Sequence, residues 1–253
     1  MRELQYCEIL KTNINVINMQ DALAYIEAQI DVLRGRYICV SNVHTTVMAY
    51  ENEAYRTIQN SAAMALPDGG PLSKYSRSVG FEHAERVTGP DLMVELFRRS
   101  GAKGYRHYFY GSTQETLDDM RAALERDYPD MVIAGMYAPP FRALTESEDK
   151  EIIAQINDAR PDFIWVGLGA PKQEEWMYSH RDKLNAVSVG VGAGFDYLAG
   201  HIKRAPRIMQ ALCLEWLYRL LQDPKRLWKR YVTTNAKFIK YLMRERKTGS
   251  HEK

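Results

Sequence analysis

Asp68 has the residue type and the neighbours that acid–base chemistry at a strand end requires. It follows the apolar run Ala62–Leu66 and lies between Pro67 and Gly69, so its carboxyl is held on a stiff turn. A carboxylate placed there can accept a proton from a bound substrate. Most aspartates before glycine only close a turn or cap a helix, and that alternative stays open here. His44 is a second candidate base, but no partner for it is visible in the sequence, which favours a helix-start or packing role.

Basic residues near the end of the chain have the chemistry of a phosphate site. A guanidinium can donate two hydrogen bonds to one oxyanion, whereas an isolated surface arginine is usually only solvated. Their concentration among aromatic residues favours a diphosphate or an anionic membrane surface. Nucleic acid is disfavoured because no nucleic-acid-binding module is recognised. The candidates are Lys203, Arg204, Arg207, Arg219, Arg226 and Arg230.

Two glycine-rich turns could approach a ligand closely. They read Gly167-Leu168-Gly169-Ala170-Pro171-Lys172-Gln173-Glu174 and Gly190-Val191-Gly192-Ala193-Gly194. Neither has the GxGxxG spacing of dinucleotide sites, since Lys172 replaces the third glycine of the first turn and the second reads GxGxG. A tight strand-to-helix turn, with Pro171 as the first helical residue before a helix over Lys172–Lys183, explains the first motif equally well.

The elements that position these residues are predicted by an alternation of apolar runs and helical patterns. This alternation predicts an α/β, Rossmann-like fold, with a mostly parallel sheet flanked by helices. Ligands of such sheets bind beyond the carboxyl ends of the strands. Capping boxes are predicted at Ser112–Glu115 and Thr145–Glu148. The predicted strands are Tyr37–Ser41, Ala62–Leu66, His107–Tyr110, Met131–Gly135, Phe163–Gly167 and Ala186–Gly190.

The C-terminal part differs in pattern and in charge. From Pro206 onward the pattern is helical, with a break at Asp223-Pro224. We predict a core over residues 1–202 and a basic helical appendage over residues 203–253. Residues 203–247 hold 13 lysines and arginines against 3 acidic residues, a net charge of +10, whereas residues 1–202 have a net charge of −8. A basic appendage on an acidic body predicts an anionic partner.

Composition excludes several classes of protein. The chain has 253 residues, of which 45% are hydrophobic and 26% charged, as in folded globular proteins. Cys7, Cys39 and Cys213 have neither metal-site nor disulfide-framework spacing, so a reducing compartment and no metal are expected. The N-terminal residues do not have the pattern of a secretory signal, and no run approaches about 20 apolar residues, so we expect neither a signal peptide nor a membrane-spanning helix. We expect a cytoplasmic protein with peripheral contact to the inner face of the cell membrane. The oligomeric state stays open.

Taken together, these segments resemble the WecG/TagA/CpsF glycosyltransferases of bacterial surface-polysaccharide synthesis. The resemblance runs from about Asn15 to Tyr231, and its stretches occur in one order along the chain. They are Asn42, Pro67-Asp68-Gly69, Arg86-Val87-Thr88-Gly89-Pro90-Asp91-Leu92, Gly167–Glu174, Gly190-Val191-Gly192 with Phe195-Asp196, Arg204-Ala205-Pro206, Glu215-Trp216-Leu217-Tyr218-Arg219-Leu220, and Asp223-Pro224 followed by Arg226.

The resemblance implies a reaction and a set of site residues. It implies inverting, metal-independent transfer of N-acetylmannosamine or a related sugar, without a cofactor, from a UDP-sugar donor to a sugar on an undecaprenyl diphosphate carrier. It makes Asp68 the catalytic base, puts Asn42, Arg86 and Gln173 in the donor and acceptor pocket, and sets appendage arginines on the leaving diphosphate. Further substrate-binding residues are expected at Gly167, Gly169, Lys172, Gly192, Arg204, Arg219, Arg226 and Arg230.

One position departs from the family pattern. Many members have a threonine two residues before the asparagine that corresponds to Asn42, and this chain has Val40 there. The resemblance therefore implies that one polar contact is lost, and Ser41 and Thr45 are the candidates to replace it.

Two other functions are compatible with the same layout. One is an NAD-dependent oxidoreductase or epimerase, which the missing dinucleotide fingerprint disfavours. The other is a non-catalytic peripheral membrane adaptor that uses its basic helical tail.

Overall fold

The chain begins with an antiparallel hairpin that the sequence patterns do not predict. A computed structural model describes residues 4–206, 208–209 and 214–249, with backbone only at Arg226 and at 246–249. Strands β1 (Tyr6–Ile9) and β2 (Thr12–Asn15) pair across a two-residue turn. Both turn residues, Leu10 and Lys11, have positive φ angles of 48° and 61°. Such turns suit the twist of a hairpin but usually contain Asn or Gly, so Leu10 and Lys11 give no sequence signal for this turn.

A parallel sheet of six strands forms the centre of the described part of the chain. Its strands lie in the order β4-β3-β8-β7-β5-β6, and every neighbouring pair is parallel. Central strands buried on both faces are continuously apolar, as the segment Phe163–Val166 is. The predicted α/β fold is confirmed, with strand ends shifted by up to two residues. The strands are β3 (Tyr37–Ser41), β4 (Met64–Pro67), β5 (Arg106–Gly111), β6 (Val132–Tyr137), β7 (Phe163–Gly167) and β8 (Val187–Gly190).

Helices cover both faces of this sheet. One apolar cluster joins α1, α6 and α7 to one face, and a second joins α8 and α9 to the other. The helices are α1 (Met19–Ala28), α2 (Ile30–Leu33), α3 (Val43–Glu51), α4 (Glu53–Asn60), α5 (Gly70–Ser78), α6 (Gly89–Lys103), α7 (Gln114–Asp127), α8 (Glu146–Asp158), α9 (Lys172–His180), α10 (Gly194–Leu198), α11 (Glu215–Gln222) and α12 (Pro224–Gly249).

The observed starts and ends of the helices agree in part with those predicted from the sequence. The capping box at Thr145 is confirmed, because Thr145 and Glu148 each accept a backbone N–H of the other. The box predicted at Ser112 is wrong: Ser112 has a φ of 62°, so the extended N-cap residue is Thr113, which accepts from Thr116 N–H at 3.2 Å. The helix predicted to reach residue 183 ends at His180, and Pro171 is its N-cap rather than its first residue.

The C-terminal helices lie against the body of the protein. The predicted break is confirmed, since α11 ends at Gln222 and α12 begins at Pro224. Phe238 of α12 is buried in an apolar cluster with Ile9 and Leu10 of the hairpin. Glu51 of α3 accepts hydrogen bonds from Lys237 Nζ at 3.1 Å and from the Tyr241 hydroxyl at 2.6 Å. Among the described residues, none of the helices is both long and apolar enough to cross a bilayer.

Candidate active site

The carboxyl ends of β3 and β4 bring Asn42 and Asp68 together. Ser41 pairs with Pro67 in the parallel register, so the next residue of each strand stands at the same edge of the sheet. The backbone N–H of Asp68 donates to the carbonyl of Ser41 at 2.7 Å, which fixes the turn. Gly69 follows with a φ of 89°, a conformation that glycine adopts without strain. Asn42 and Asp68 are therefore neighbours in space although they are 26 positions apart in the sequence.

Asn42 is also the N-cap of α3. Its Oδ1 accepts the N–H groups of His44 at 3.0 Å and of Thr45 at 3.2 Å. Such a cap satisfies donors that the first helical turn leaves free. None of the described residues accepts a hydrogen bond from Asn42 Nδ2, so this amide group is the part of the side chain open to a ligand.

The two glycine-rich turns are joined to each other beside these strand ends. The N–H of Gly192, after β8, donates to Oε1 of Gln173 in α9 at 3.0 Å. Gly169 and Gly192 both have positive φ, at 76° and 53°. A Cβ at Gly190 would lie 3.0 Å from Gln173 Nε2, so the amide packs directly on the backbone of β8. Gln173 is thus buried under the turn rather than presented on the surface.

Asp68 stands in a group of alternating charges. Arg204 Nη2 is 2.5 Å from Asp91 Oδ1, and Arg86 Nη2 is 3.6 Å from Asp91 Oδ2. Arg86 also pairs with Glu215 of α11. Burial raises the pKa of Asp68 to about 6, Arg86 and Arg204 oppose that rise, and Asp91 adds to it. A carboxyl with this pKa is mostly ionised at neutral pH and can still take up a proton readily.

Tyr197 of α10 holds two arginines over its ring. The guanidinium carbons of Arg204 and Arg219 lie 5.5 Å and 5.7 Å from the ring centroid, within the range of cation–π contacts. The pKa of Tyr197 is raised, mainly by burial, and is lowered in part by Arg219 and Arg204. Because Asp68 also acts on this pKa, the arginines, Tyr197 and Asp68 share one region.

The other predicted residues are placed differently. Lys172 is exposed in the first turn of α9, and Gly167 ends β7 where a Cβ would lie 2.7 Å from the ring of Phe195. Arg230 is exposed on α12 near His44, whose pKa is lowered by burial and then by Arg230. His44 Nδ1 is 3.5 Å from the Thr234 hydroxyl, which fits the packing role favoured for it. The side chain of Arg226, and Arg207 as a whole, lie outside the described residues.

Sequence patterns did not single out Asp91, Tyr197 and Glu215. Asp91 and Glu215 lie inside stretches that carried the family resemblance. The sequence signal that could have identified them is that they are acidic residues in a site expected to contain many arginines. Within the described residues, no group of three His, Cys, Asp or Glu side chains is arranged to hold a metal ion.

The departure at Val40 leaves an apolar side chain in the sheet. Val40 is 7% exposed and packs in the larger apolar cluster. Ser41 donates its hydroxyl to Gln59 at 2.8 Å, and the Thr45 hydroxyl is occupied by the Asn42 backbone at 2.9 Å and 3.0 Å. Both candidate replacements therefore already have partners within the protein.

The fold and the site together define a Rossmann-like α/β protein whose sheet carries a carboxylate among arginines at its carboxyl edge. The chain belongs to the glycosyl transferase WecG/TagA/CpsF family, whose model matches residues 7–252, and it is accordingly a glycosyltransferase.

Named relatives cover most of the chain. Proteins of Bacillus spizizenii, Bacillus subtilis and Staphylococcus aureus, each called N-acetylglucosaminyldiphosphoundecaprenol N-acetyl-beta-D-mannosaminyltransferase, are 32% identical to it over 218, 233 and 192 residues. These matches span 86%, 91% and 76% of this chain and 82%, 88% and 74% of the relatives.

Proposed function

We propose that this chain transfers an N-acetylmannosamine-type sugar from a UDP-sugar to a sugar carried on undecaprenyl diphosphate, in surface polysaccharide or teichoic acid synthesis. The relatives are named as N-acetyl-beta-D-mannosaminyltransferases of N-acetylglucosaminyldiphosphoundecaprenol, and the match to the Bacillus subtilis protein covers 91% of the chain. The observation that carries the proposal is the position of Asp68, a partly buried carboxylate next to Asn42 and within the field of Arg86 and Arg204. In this proposal Asp68 accepts the proton, and the arginines bind the anionic donor.

The reaction then follows from the charges around Asp68. The Asp68 carboxylate takes the proton of the acceptor hydroxyl while that oxygen bonds to the anomeric carbon of the donor sugar. The bond from this carbon to the UDP oxygen breaks, its electron pair stays on UDP, and the configuration at the carbon is inverted. The departing diphosphate gains negative charge, which fixed cations stabilise without reorganisation. Arg219 and Arg204 can supply that charge, so no bound metal is required by this scheme.

The pH dependence of the reaction should follow the ionisation of Asp68. The protonated acid cannot accept a proton, so kcat/KM is expected to rise with pH through about 6. Because Arg204 lowers this pKa, Arg204→Gln should move the rise to higher pH. Initial rates of both proteins across the pH range measure the two midpoints. A rise centred near the ordinary pKa of aspartate in both proteins would contradict the role given to burial and Arg204.

We further propose that α12 contacts the anionic membrane in which the acceptor resides. Trp228, Val232, Ile239 and Met243 are 51% to 62% exposed, and their spacing puts them on one face of the helix. A separate face of the helix carries the buried residues Leu227, Thr234 and Phe238. Exposed lysines, at 225, 229 and 240, lie along one edge of the apolar stripe. An apolar stripe bordered by lysines is typical of helices that lie in a membrane interface.

Vesicle binding tests this membrane contact. Replacing Lys229 and Lys240 with glutamine should weaken binding to vesicles that contain phosphatidylglycerol by about 30-fold, since each basic residue near an anionic surface contributes about 1 kcal/mol. Cosedimentation measures the change. The double variant Lys150→Gln with Lys183→Gln, at two exposed lysines outside α12, serves as the matched control. Equal binding by both double variants would rule out docking through α12.

A donor and acceptor panel tests the transfer itself. The protein is given several UDP-sugars with prenyl-diphosphate-linked N-acetylglucosamine, and products are read by mass spectrometry and the new anomeric bond by NMR. We expect one added N-acetylhexosamine from UDP-N-acetylmannosamine, with inverted configuration. Thermal shifts with UDP and NAD provide an independent readout, because only a ligand of the folded state stabilises it. Stabilisation by NAD alone, with no transfer, would favour the oxidoreductase.

A further inference from the structure

A chain of buried polar side chains runs beneath the carboxyl edge of the sheet. Its members are Ser41, Gln59, Tyr55, Glu174 and Gln173, and their exposures are 0%, 1%, 3%, 0% and 4%. The proposed chemistry at Asp68 uses none of the first four. Buried polar groups cost free energy unless they are paired, so a chain of this length needs a reason.

One end of this buried polar chain is anchored on β3. The Ser41 hydroxyl donates to Gln59 Oε1 at 2.8 Å, which orients the Gln59 amide. Gln59 Nε2 then donates to the Tyr55 hydroxyl at 2.9 Å. With that acceptor site filled, the Tyr55 proton is free to point at the Glu174 carboxyl, and the two groups do interact.

The other end is anchored on the turn after β8. A backbone N–H can only donate, so the bond from Gly192 N–H identifies the oxygen of the Gln173 amide. The Gln173 Nε2 group therefore donates, and its acceptor is Glu174 Oε1 at 2.8 Å. Glu174 thus orients the side chain that holds the Gly192 turn, which follows β8 next to the end of β3 that carries Asn42.

The surroundings of Glu174 suit a neutral acid. Burial raises the pKa of Glu174 to about 7, and the Gln173 hydrogen bond opposes that rise only in part. The titratable groups that face it are Tyr55 from α4, Cys39 from β3 and Glu175 from its own helix, and no cation among the described residues acts on it. Glu174 Oε2 has no hydrogen-bond partner among the described residues, so it is the oxygen that can carry a proton.

We propose that Glu174 is a positioning residue that works as a neutral carboxylic acid, holding Gln173 and, through it, the Gly192 turn at the substrate edge of the sheet. This deepens the proposed function, because it assigns Gln173 and Gly192 to the same site as Asp68. Loss of the proton would bury an uncompensated charge at the middle of the buried polar chain. Both the turn and the fold would then be weakened above neutral pH.

The raised pKa of Glu174 determines how the stability of the folded protein changes with pH. A folded state that raises the pKa of an acid binds its proton more tightly than the unfolded chain does. The stabilisation is therefore complete below about pH 4.3, the ordinary value for glutamate, and is lost as the pH rises through about 7. Glu174→Gln keeps the shape and stays neutral at every pH.

Thermal unfolding tests the neutral acid without any assay of activity. We expect the Tm of Glu174→Gln minus that of the wild type to increase from about pH 5 to about pH 8 and then to stay constant. Groups shared by both proteins, Asp68 included, cancel in this difference. Glu151→Gln, an exposed glutamate on α8, is the control and should give a difference that does not change with pH. The same flat difference for Glu174→Gln would overturn the proposal.

The pH profile of transfer tests the positioning role. Glu174→Gln should keep the wild-type kcat/KM below pH 7 and lack the decline that the wild type shows above it. Glu174→Leu, which cannot accept from Gln173, should lower kcat/KM at every pH, and Tyr55→Phe should fall between these two. Identical profiles for the wild type and Glu174→Gln would refute positioning. If the wild type transfers no sugar at all, the proposed function fails and the Tm series still decides the state of Glu174.

Discussion

Replacing Asp68 with asparagine is expected to lower kcat by about 10²–10⁴-fold, the range that a positioned general base contributes. Asparagine keeps the size of the side chain but cannot take up a proton. The turn should persist, since it depends on the Asp68 backbone N–H to Ser41 and on the positive φ of Gly69. KM for the donor should change far less than kcat, because the lost interaction belongs to the transition state.

Steady-state kinetics with a synthetic lipid-linked acceptor measures this loss. Circular dichroism and thermal unfolding establish that the variant is folded, and Asp158→Asn, an exposed aspartate at the end of α8, is the matched control. Near wild-type turnover of a folded Asp68→Asn protein would remove Asp68 from the base role. It would leave the family assignment untouched, because that rests on the match over residues 7–252.

Replacing Arg219 with glutamine is expected to lower kcat by about 10²–10³-fold, as the loss of one preorganised donor to a developing anion does. Arg86 and Arg204 already pair with Asp91, and Arg86 also with Glu215. Arg219 contacts the Tyr197 ring, and among the described residues no carboxylate pairs with it. Of these three arginines, Arg219 therefore has the charge most available to a diphosphate.

Two comparisons sharpen the Arg219 experiment. Arg219→Lys keeps the charge but loses the planar fork, so it should recover only part of the activity. Arg126→Gln, at an exposed arginine of α7, should behave as the wild type. UDP should also bind Arg219→Gln more weakly in calorimetry. Unchanged kcat and unchanged UDP affinity would mean that Arg219 only packs on Tyr197.

The position of Asp68 was predictable because it depends on local rules. An apolar run, a proline and a glycine define where β4 ends and how the chain turns, and the residue between them must lie at the strand end. The break between α11 and α12 at Asp223-Pro224 followed in the same way, since proline cannot continue a helix from its interior. Errors of one residue, as at Ser112, arise where a non-glycine residue adopts a positive φ without a sequence signal.

The contacts among these residues were not predictable, because they depend on strand order and on distant pairings. Nothing in the sequence sets β3 between β4 and β8, which places Asn42 between Asp68 and the Gly192 turn. The pairing of Arg86 with Glu215 spans 129 positions and requires the C-terminal helices to fold back. The hydrogen bond from Gly192 to Gln173 likewise joins two turns that read separately as ordinary strand-to-helix connections.

The packing of Phe238 on the N-terminal hairpin bears on how the protein is made. Ile9 and Leu10 are synthesised before Phe238, whose ring packs on them and which follows more than 200 residues later in the chain. At a synthesis rate of roughly 5–20 residues per second, the apolar surface of the hairpin stays uncovered for about ten seconds or longer before Phe238 is synthesised. We therefore expect the nascent chain to bind a chaperone. A protein truncated before residue 238 should aggregate in the cell.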